Sequence, residues 1–139
     1  MKDKIIFQLS KAEHRIKNYM KEKIKAQSIQ ISAGQSGVLF LLKQKNHLKM
    51  SELSRLLGID NSAITRVIDR LEKNKLVKRE MNPTDRRQYL IGITEKGKRD
   101  IEIVGEIAMQ TNERIKEGFT EEEIETFLKI LRSFEIKFM

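Results

Sequence analysis

The sequence predicts a mainly α-helical chain with one small β-hairpin, and three observations predict it. Apolar residues recur at helical spacing in long stretches at both ends of the chain. One proline and seven glycines among 139 residues are too few for a loop-rich all-β fold. A single pair of β-type stretches, 76–81 and 88–93, interrupts the helical pattern. The length fits one domain with helical extensions and is too short for a barrel enzyme or a two-domain dehydrogenase.

In 4–26, Ile5, Ile6, Leu9, Ile16, Met20 and Ile24 fall at mostly helical spacing, with lysines on the other face. One long amphipathic helix is expected there. Ser32-Ala33-Gly34-Gln35 has the form of a capping box, opening a helix through Val38, Leu39, Phe40, Leu41 and Leu42. Residues 44–48 read as a polar link. Ser51 reads as the cap of a short helix over 52–57, closed by Gly58. Asp60 caps the next helix, which runs to about Asn74. Only Gly58 and Ile59 lie between the two, which is helix-turn-helix spacing.

The two strands come next, with Tyr89, Ile91 and Ile93 alternating in the second and a basic tip over 82–87 between them. Thr94 caps a long helix through about Lys116, and Gly118 stops it. Thr120 to Glu123 is a second capping box, with Phe119 and Ile124 placed as a hydrophobic staple. The last helix carries Ile124, Phe127, Leu128, Leu131, Phe134 and Phe138. A helix-turn-helix followed by a hairpin is a winged helix. The expected architecture is therefore a winged helix-turn-helix core between long N- and C-terminal helices.

Charge is distributed unevenly. The formal net charge of +8 divides into +7 over 1–48, +6 over 49–99 and −5 over 100–139. A basic surface on a small domain suggests a polyanion, most often nucleic acid, because neutralised phosphates release counterions. A merely solvated lysine-rich surface would give the same totals.

The helix opened by Asp60 divides cleanly by angle. Ile64, Val67, Ile68 and Leu71 form one apolar stripe. Ser62, Arg66 and Lys73 lie opposite, with Thr65 and Asp69 on one shoulder and Arg70 on the other. Hydroxyls can bond bases or phosphates, and arginine can pair bidentately with guanine, so this face suits a major groove. An ordinary surface helix also has a polar outer face; the tight turn before this one and the basic hairpin after it favour DNA. At the hairpin tip, Arg86 and Arg87 can reach a phosphate ridge or a narrow minor groove. Asp85 can brace Arg87 through a charge-assisted pair; the competing reading is a solvated turn.

These residues resemble the MarR family of winged-helix transcription regulators. The matching stretch is Ala63-Ile64-x-Arg66, Leu71-Glu72, Leu76-Val77, Asp85-Arg86-Arg87 and Thr94-x-x-Gly97. It departs from the family pattern at Lys75, where Gly commonly closes the recognition helix, and Asn74 can supply the left-handed cap instead. Asn82 and Thr84 stand where an acidic and a basic residue are frequent.

The resemblance implies a homodimer with intertwined terminal helices, binding double-stranded DNA at a pseudo-palindrome. It implies base recognition by Asn61, Ser62, Thr65 and Arg66, Arg70 toward phosphate, and Arg87 in the minor groove braced by Asp85. Many members release DNA on binding a small, often phenolic, molecule in a crevice between the dimer helices and the DNA lobe. The expected organisation is an N-terminal dimerisation helix over 1–30, a DNA-binding domain over 31–98 and C-terminal dimerisation helices over 99–139.

Other classes fit less well. With no cysteine, thiol catalysis and thiol-based oxidant sensing are excluded. His14 and His47 have no carboxylate cluster or second histidine beside them in sequence, and Glu121, Glu122 and Glu123 suit the first turn of a helix better than a metal. No cofactor is expected. No nucleophile–base pair or phosphate loop is visible, so an enzyme is not expected. The first helix has lysines for a membrane surface but no tryptophan, and nothing resembles a signal or spanning segment. The expectation is a cytoplasmic protein. The alternative function is a winged-helix protein-interaction or architectural module without ligand control.

Overall fold

The computed structural model describes residues 4–139. These form the helices α1 (Ile5–Ala26), α2 (Ala33–Lys45), α3 (Met50–Leu57), α4 (Asn61–Lys73), α5 (Glu95–Lys116) and α6 (Glu121–Lys137). Three strands, β1 (His47–Lys49), β2 (Val77–Met81) and β3 (Tyr89–Ile93), make an antiparallel sheet in the order β1-β3-β2. The chain divides into two compact units, one up to residue 107 and one over 108–139. No described helix is long and apolar enough to cross a membrane.

The first unit is built around the helix-turn-helix. Leu39 and Leu42 of α2, Leu53 of α3, Ile64, Ile68 and Leu71 of α4, Ile91 of β3 and Ile101 of α5 are all fully buried in one cluster. Each such side chain contributes about 1.5–3 kcal/mol on burial. The three from α4 therefore outweigh the roughly 1 kcal/mol of its N-cap, and packing holds that helix in place. The apolar stripe expected from the sequence is the face that goes inside. Gly58 adopts the left-handed conformation at φ 64°, and the Ile59 N–H closes on the Ser54 carbonyl at 3.1 Å. That closure makes the tight turn into α4.

Three local expectations are corrected. The link over 44–48 ends in a strand: His47, Leu48 and Lys49 pair with Gly92, Ile91 and Leu90. Three residues are too few to show a strand period, and the strand exists because β3 offers it an edge. The short helix starts at Met50, not after Ser51; Lys49 is its N-cap residue, and its N–H donates to Glu52 Oε1 at 3.1 Å. The left-handed residue after α4 is Lys75, at φ 62°, while Asn74 stays at φ −85°. The Lys75 N–H reaches the Glu72 carbonyl and the Leu76 N–H the Leu71 carbonyl, each at 2.9 Å. This is a Schellman closure, which puts the left-handed conformation one position beyond Asn74.

The backbone leaving α4 is seated on the start of α5. The Thr94 hydroxyl donates to the Lys75 carbonyl at 2.7 Å, and the Thr94 N–H donates to the Leu76 carbonyl at 3.0 Å. The same hydroxyl oxygen accepts the Gly97 N–H at 3.0 Å, capping α5. Gly97 is buried here. A Cβ at this position would fall on the Leu76 carbonyl and lie 2.8 Å from Ile93 Cγ1. The Thr94-x-x-Gly97 pattern thus lets the first turn of α5 lie directly on the backbone that leaves α4.

The apolar residues of α1 and α6 are largely open in the single chain. Neither helix has a fully buried residue. Ile6 is 83% exposed and Ile136 78%.

This junction has two expected stability outcomes, both measured by urea unfolding at fixed protein concentration. Gly97→Ala is expected to cost about 1–3 kcal/mol, since a backbone carbonyl cannot rotate away as a side chain can. Lys75→Gly is expected to gain about 0.5–1 kcal/mol, the left-handed strain relieved less the extra entropy of an unfolded glycine. An unchanged midpoint in either variant would contradict the corresponding account.

Candidate nucleic-acid interface

The outer face of α4 is open along its length. Asn61, Ser62, Thr65, Arg66 and Arg70 are all exposed, as is Asp69. Asp60 accepts the Ala63 N–H at 2.8 Å and the Ser62 hydroxyl at 2.7 Å. The Ser62 hydroxyl first, and then the Ala63 N–H, hold the Asp60 carboxyl below its ordinary range, so the cap stays ionised. The Thr65 hydroxyl donates to the Asn61 carbonyl at 2.8 Å. Both hydroxyl protons are thereby engaged within the helix. The oxygens are left as acceptors, suited to the amino groups of adenine and cytosine in a major groove.

The hairpin tip is built by two side-chain-to-backbone turns. Asn82 is 6% exposed, and its Oδ1 accepts both the Thr84 N–H at 3.1 Å and the Thr84 hydroxyl at 2.9 Å. Asp85 Oδ1 accepts the Arg87 N–H at 3.0 Å. The expected brace between Asp85 and Arg87 is therefore made through the main chain; no ion pair joins their side chains among the described residues. A short carboxylate bonds two residues ahead far more readily than it turns back to meet a long guanidinium. Arg86 and Arg87 remain exposed at the tip. Thr84 supplies the first turn by donating twice to Asn82, where the family pattern often has opposite charges at these two positions.

Sequence reasoning missed Arg79 on β2. Its guanidinium pairs with Asp69 on α4, and its Nε lies 3.8 Å from Glu72 Oε1. The register explains its direction, because Val77, Arg79, Ile91 and Ile93 share one face of the sheet. An alternating strand with one charge on its inner face was the available signal. On the opposite face Lys78 lies 3.0 Å from Glu80 and His47 lies 3.4 Å from it. The Lys78 ammonium is the main influence holding the Glu80 carboxyl below its ordinary range.

A second feature lies between α1 and α2. A cavity of about 560 Å³ is lined by Met20, Ile24, Ile29, Ile31 and Val104, with Lys17, Lys21 and Lys25 from one side of α1. Apolar walls with three lysines in the lining would suit an amphipathic anion.

The comparisons with known proteins agree with this geometry. Residues 31–89 match the model of the MarR family. Over 102 residues, 73% of the chain, it is 26% identical to a putative transcriptional regulatory protein for the hcr operon of Thauera aromatica; the match spans 61% of that protein's length. The YusO protein of Bacillus subtilis is similar in structure, with a TM-score of 0.74 and 29% identity, covering 94% of this chain and 92% of that one. A MarR mutant from E. coli, complexed with operator DNA, gives a TM-score of 0.73 and 25% identity, covering 92% of this chain and 94% of its own.

The Asp85 turn can be tested without any ligand. Asp85→Ala is expected to speed amide exchange at Arg87 by roughly 3–10-fold, the equivalent of one lost hydrogen bond of about 0.5–1.5 kcal/mol. Asp85→Asn keeps the accepting oxygen and should leave the rate near that of the parent. Equal exchange in all three proteins would show that the turn does not depend on this side chain.

Proposed function

Residues 31–89 match the MarR family model, and from that similarity we propose that the chain is a MarR-family regulator, a homodimeric repressor that binds a pseudo-palindromic operator. It is a DNA-binding transcription regulator rather than an enzyme. One observation carries the reading of its interface. The recognition helix buries Ile64, Ile68 and Leu71 and turns Asn61, Ser62, Thr65 and Arg66 outward, in the same unit as a wing that exposes Arg86 and Arg87.

In this reading Asn61, Ser62, Thr65 and Arg66 contact base edges, and Arg70 meets phosphate. Arg87 enters the minor groove from a tip ordered by Asp85, and Arg86 lies beside it. The open apolar faces of α1 and α6 support a second copy as the partner, since a symmetric dimer covers both with one kind of contact. Repression follows from occupancy of the operator. The cavity between α1 and α2 supports release by a small amphipathic anion, with an aromatic or phenolic acid as the class.

The test uses a duplex selected by the full-length protein from a random-sequence pool, with affinity read by fluorescence anisotropy. Log affinity is expected to fall against log salt with a slope of about −5 or steeper, from roughly 0.9 per phosphate over six or more contacts. Deleting 120–139 is expected to give a monomer that loses binding. A flat salt dependence would favour a protein-interaction module. A folded, monomeric truncation with full affinity would remove the dimer from the mechanism.

A further inference from the structure

We propose that Arg79 is a positioning residue for DNA binding, locking the wing to the recognition helix. The proposal rests on the reading of α4 and the wing as the two DNA-reading elements.

Arg79 sits in the middle of β2, opposite Ile91 and on the core-side face of the sheet. Its guanidinium meets Asp69, which lies on the exposed shoulder of α4 three residues after Arg66. Its Nε is buried without a hydrogen-bond partner among the described residues, 3.8 Å from Glu72 Oε1. One cation therefore ties two carboxylates of the recognition helix to the strand that leads into the Arg86-Arg87 tip. A planar guanidinium can address both acids at once, which a lysine ammonium cannot do with fixed geometry.

The arrangement has two consequences for a DNA-binding surface. The angle between helix and wing is fixed before DNA arrives, so less ordering is needed on binding. Asp69 and Glu72 are also neutralised on a helix that must approach phosphates. Both acid partners are well exposed, Asp69 by 57% and Glu72 by 43%, so the pair contributes only modestly to fold stability. Its effect should therefore appear as discrimination between DNA sequences and not as a lower unfolding midpoint.

The experiment compares wild type, Arg79→Met, Asp69→Asn and the double variant. Each is titrated by anisotropy against the pool-selected duplex and a random-sequence duplex of equal length, with thermal midpoints recorded alongside. Arg79→Met keeps the apolar stem and is expected to cut the selected-to-random affinity ratio about tenfold, while random-duplex affinity moves less than about threefold. Asp69→Asn removes an acid near DNA, so charge alone would tighten binding to both duplexes. The lock requires instead that it weaken the selected duplex, and that the double variant be no worse than Arg79→Met. In the Arg79→Met background, the loss caused by Arg87→Ala should also shrink, because the wing is no longer aimed.

If Arg79→Met does not fold, Arg79→Lys makes the same comparison and should show a partial fall in the ratio. An unchanged ratio in the folded variant, or tighter binding to both duplexes by Asp69→Asn, overturns the lock and leaves the DNA reading standing. A wild-type protein that selects no duplex overturns the DNA reading and the lock with it, and does so before any variant is made.

Discussion

The carbonyls of Lys75 and Leu76 are the point on which the DNA-binding unit depends. The N–H groups of the same two residues close α4 on the Glu72 and Leu71 carbonyls, and the carbonyls themselves receive the start of α5 just before the first wing strand. Thr94 donates to both, and Gly97 omits the Cβ that would hold α5 away. Lys96 adds its ammonium to the Asn74 carbonyl at 3.1 Å, a cation at the negative end of α4. The wing begins and ends at this seam, since Val77 pairs with Ile93. A left-handed residue without glycine's freedom is tolerated at Lys75 because the hydrogen bonds on either side of it hold the backbone in place.

From that seam α4 and the wing acquire opposite constructions. The helix is held from below by fully buried apolar side chains, so its outer face is free to carry whatever chemistry recognition needs. The tip has almost no core of its own. Asn82 and Asp85 order it through hydrogen bonds to Thr84 and Arg87, a solution that relies on short polar side chains next to turns. In the proposed reading, the rigid helix meets base edges and the polar-stapled loop carries Arg87 to the minor groove. The charges divide in the same way: Arg79 absorbs the acids of α4, while the exposed arginines of the tip are left for a polyanion.

The terminal helices have a different energetic basis. The core cluster takes Ile24 only partly from α1, and α6 has no buried residue. The cap of α6 is nonetheless well made: the Glu123 carboxylate accepts the Thr120 N–H, and the Thr120 hydroxyl accepts the Glu123 N–H, each at 3.1 Å. Local capping of about 1 kcal/mol sets where α6 begins, but does not by itself cover its apolar side. This matches a composition in which only 39% of residues are hydrophobic and 35% are charged.

By itself the sequence determined the order of the helices, the tight turn at Gly58, the buried stripe of α4 and the two long strands. Each is written in local periods or in capping residues beside them. It also defined the outward set Ser62, Thr65 and Arg66, because a helix with one apolar stripe has only one face left for polar groups; Asn61 entered through the family resemblance. Tertiary structure alone decided β1, which has no period to read and forms only where β3 offers an edge. It decided that Lys75 and not Asn74 takes the left-handed turn, since the closure is counted from the last helical hydrogen bond. It decided as well that Asp85 holds the Arg87 main chain and that Arg79 reaches Asp69, ten residues away. Those contacts depend on the distance between one backbone and another, and a linear pattern of residue types contains no such distance.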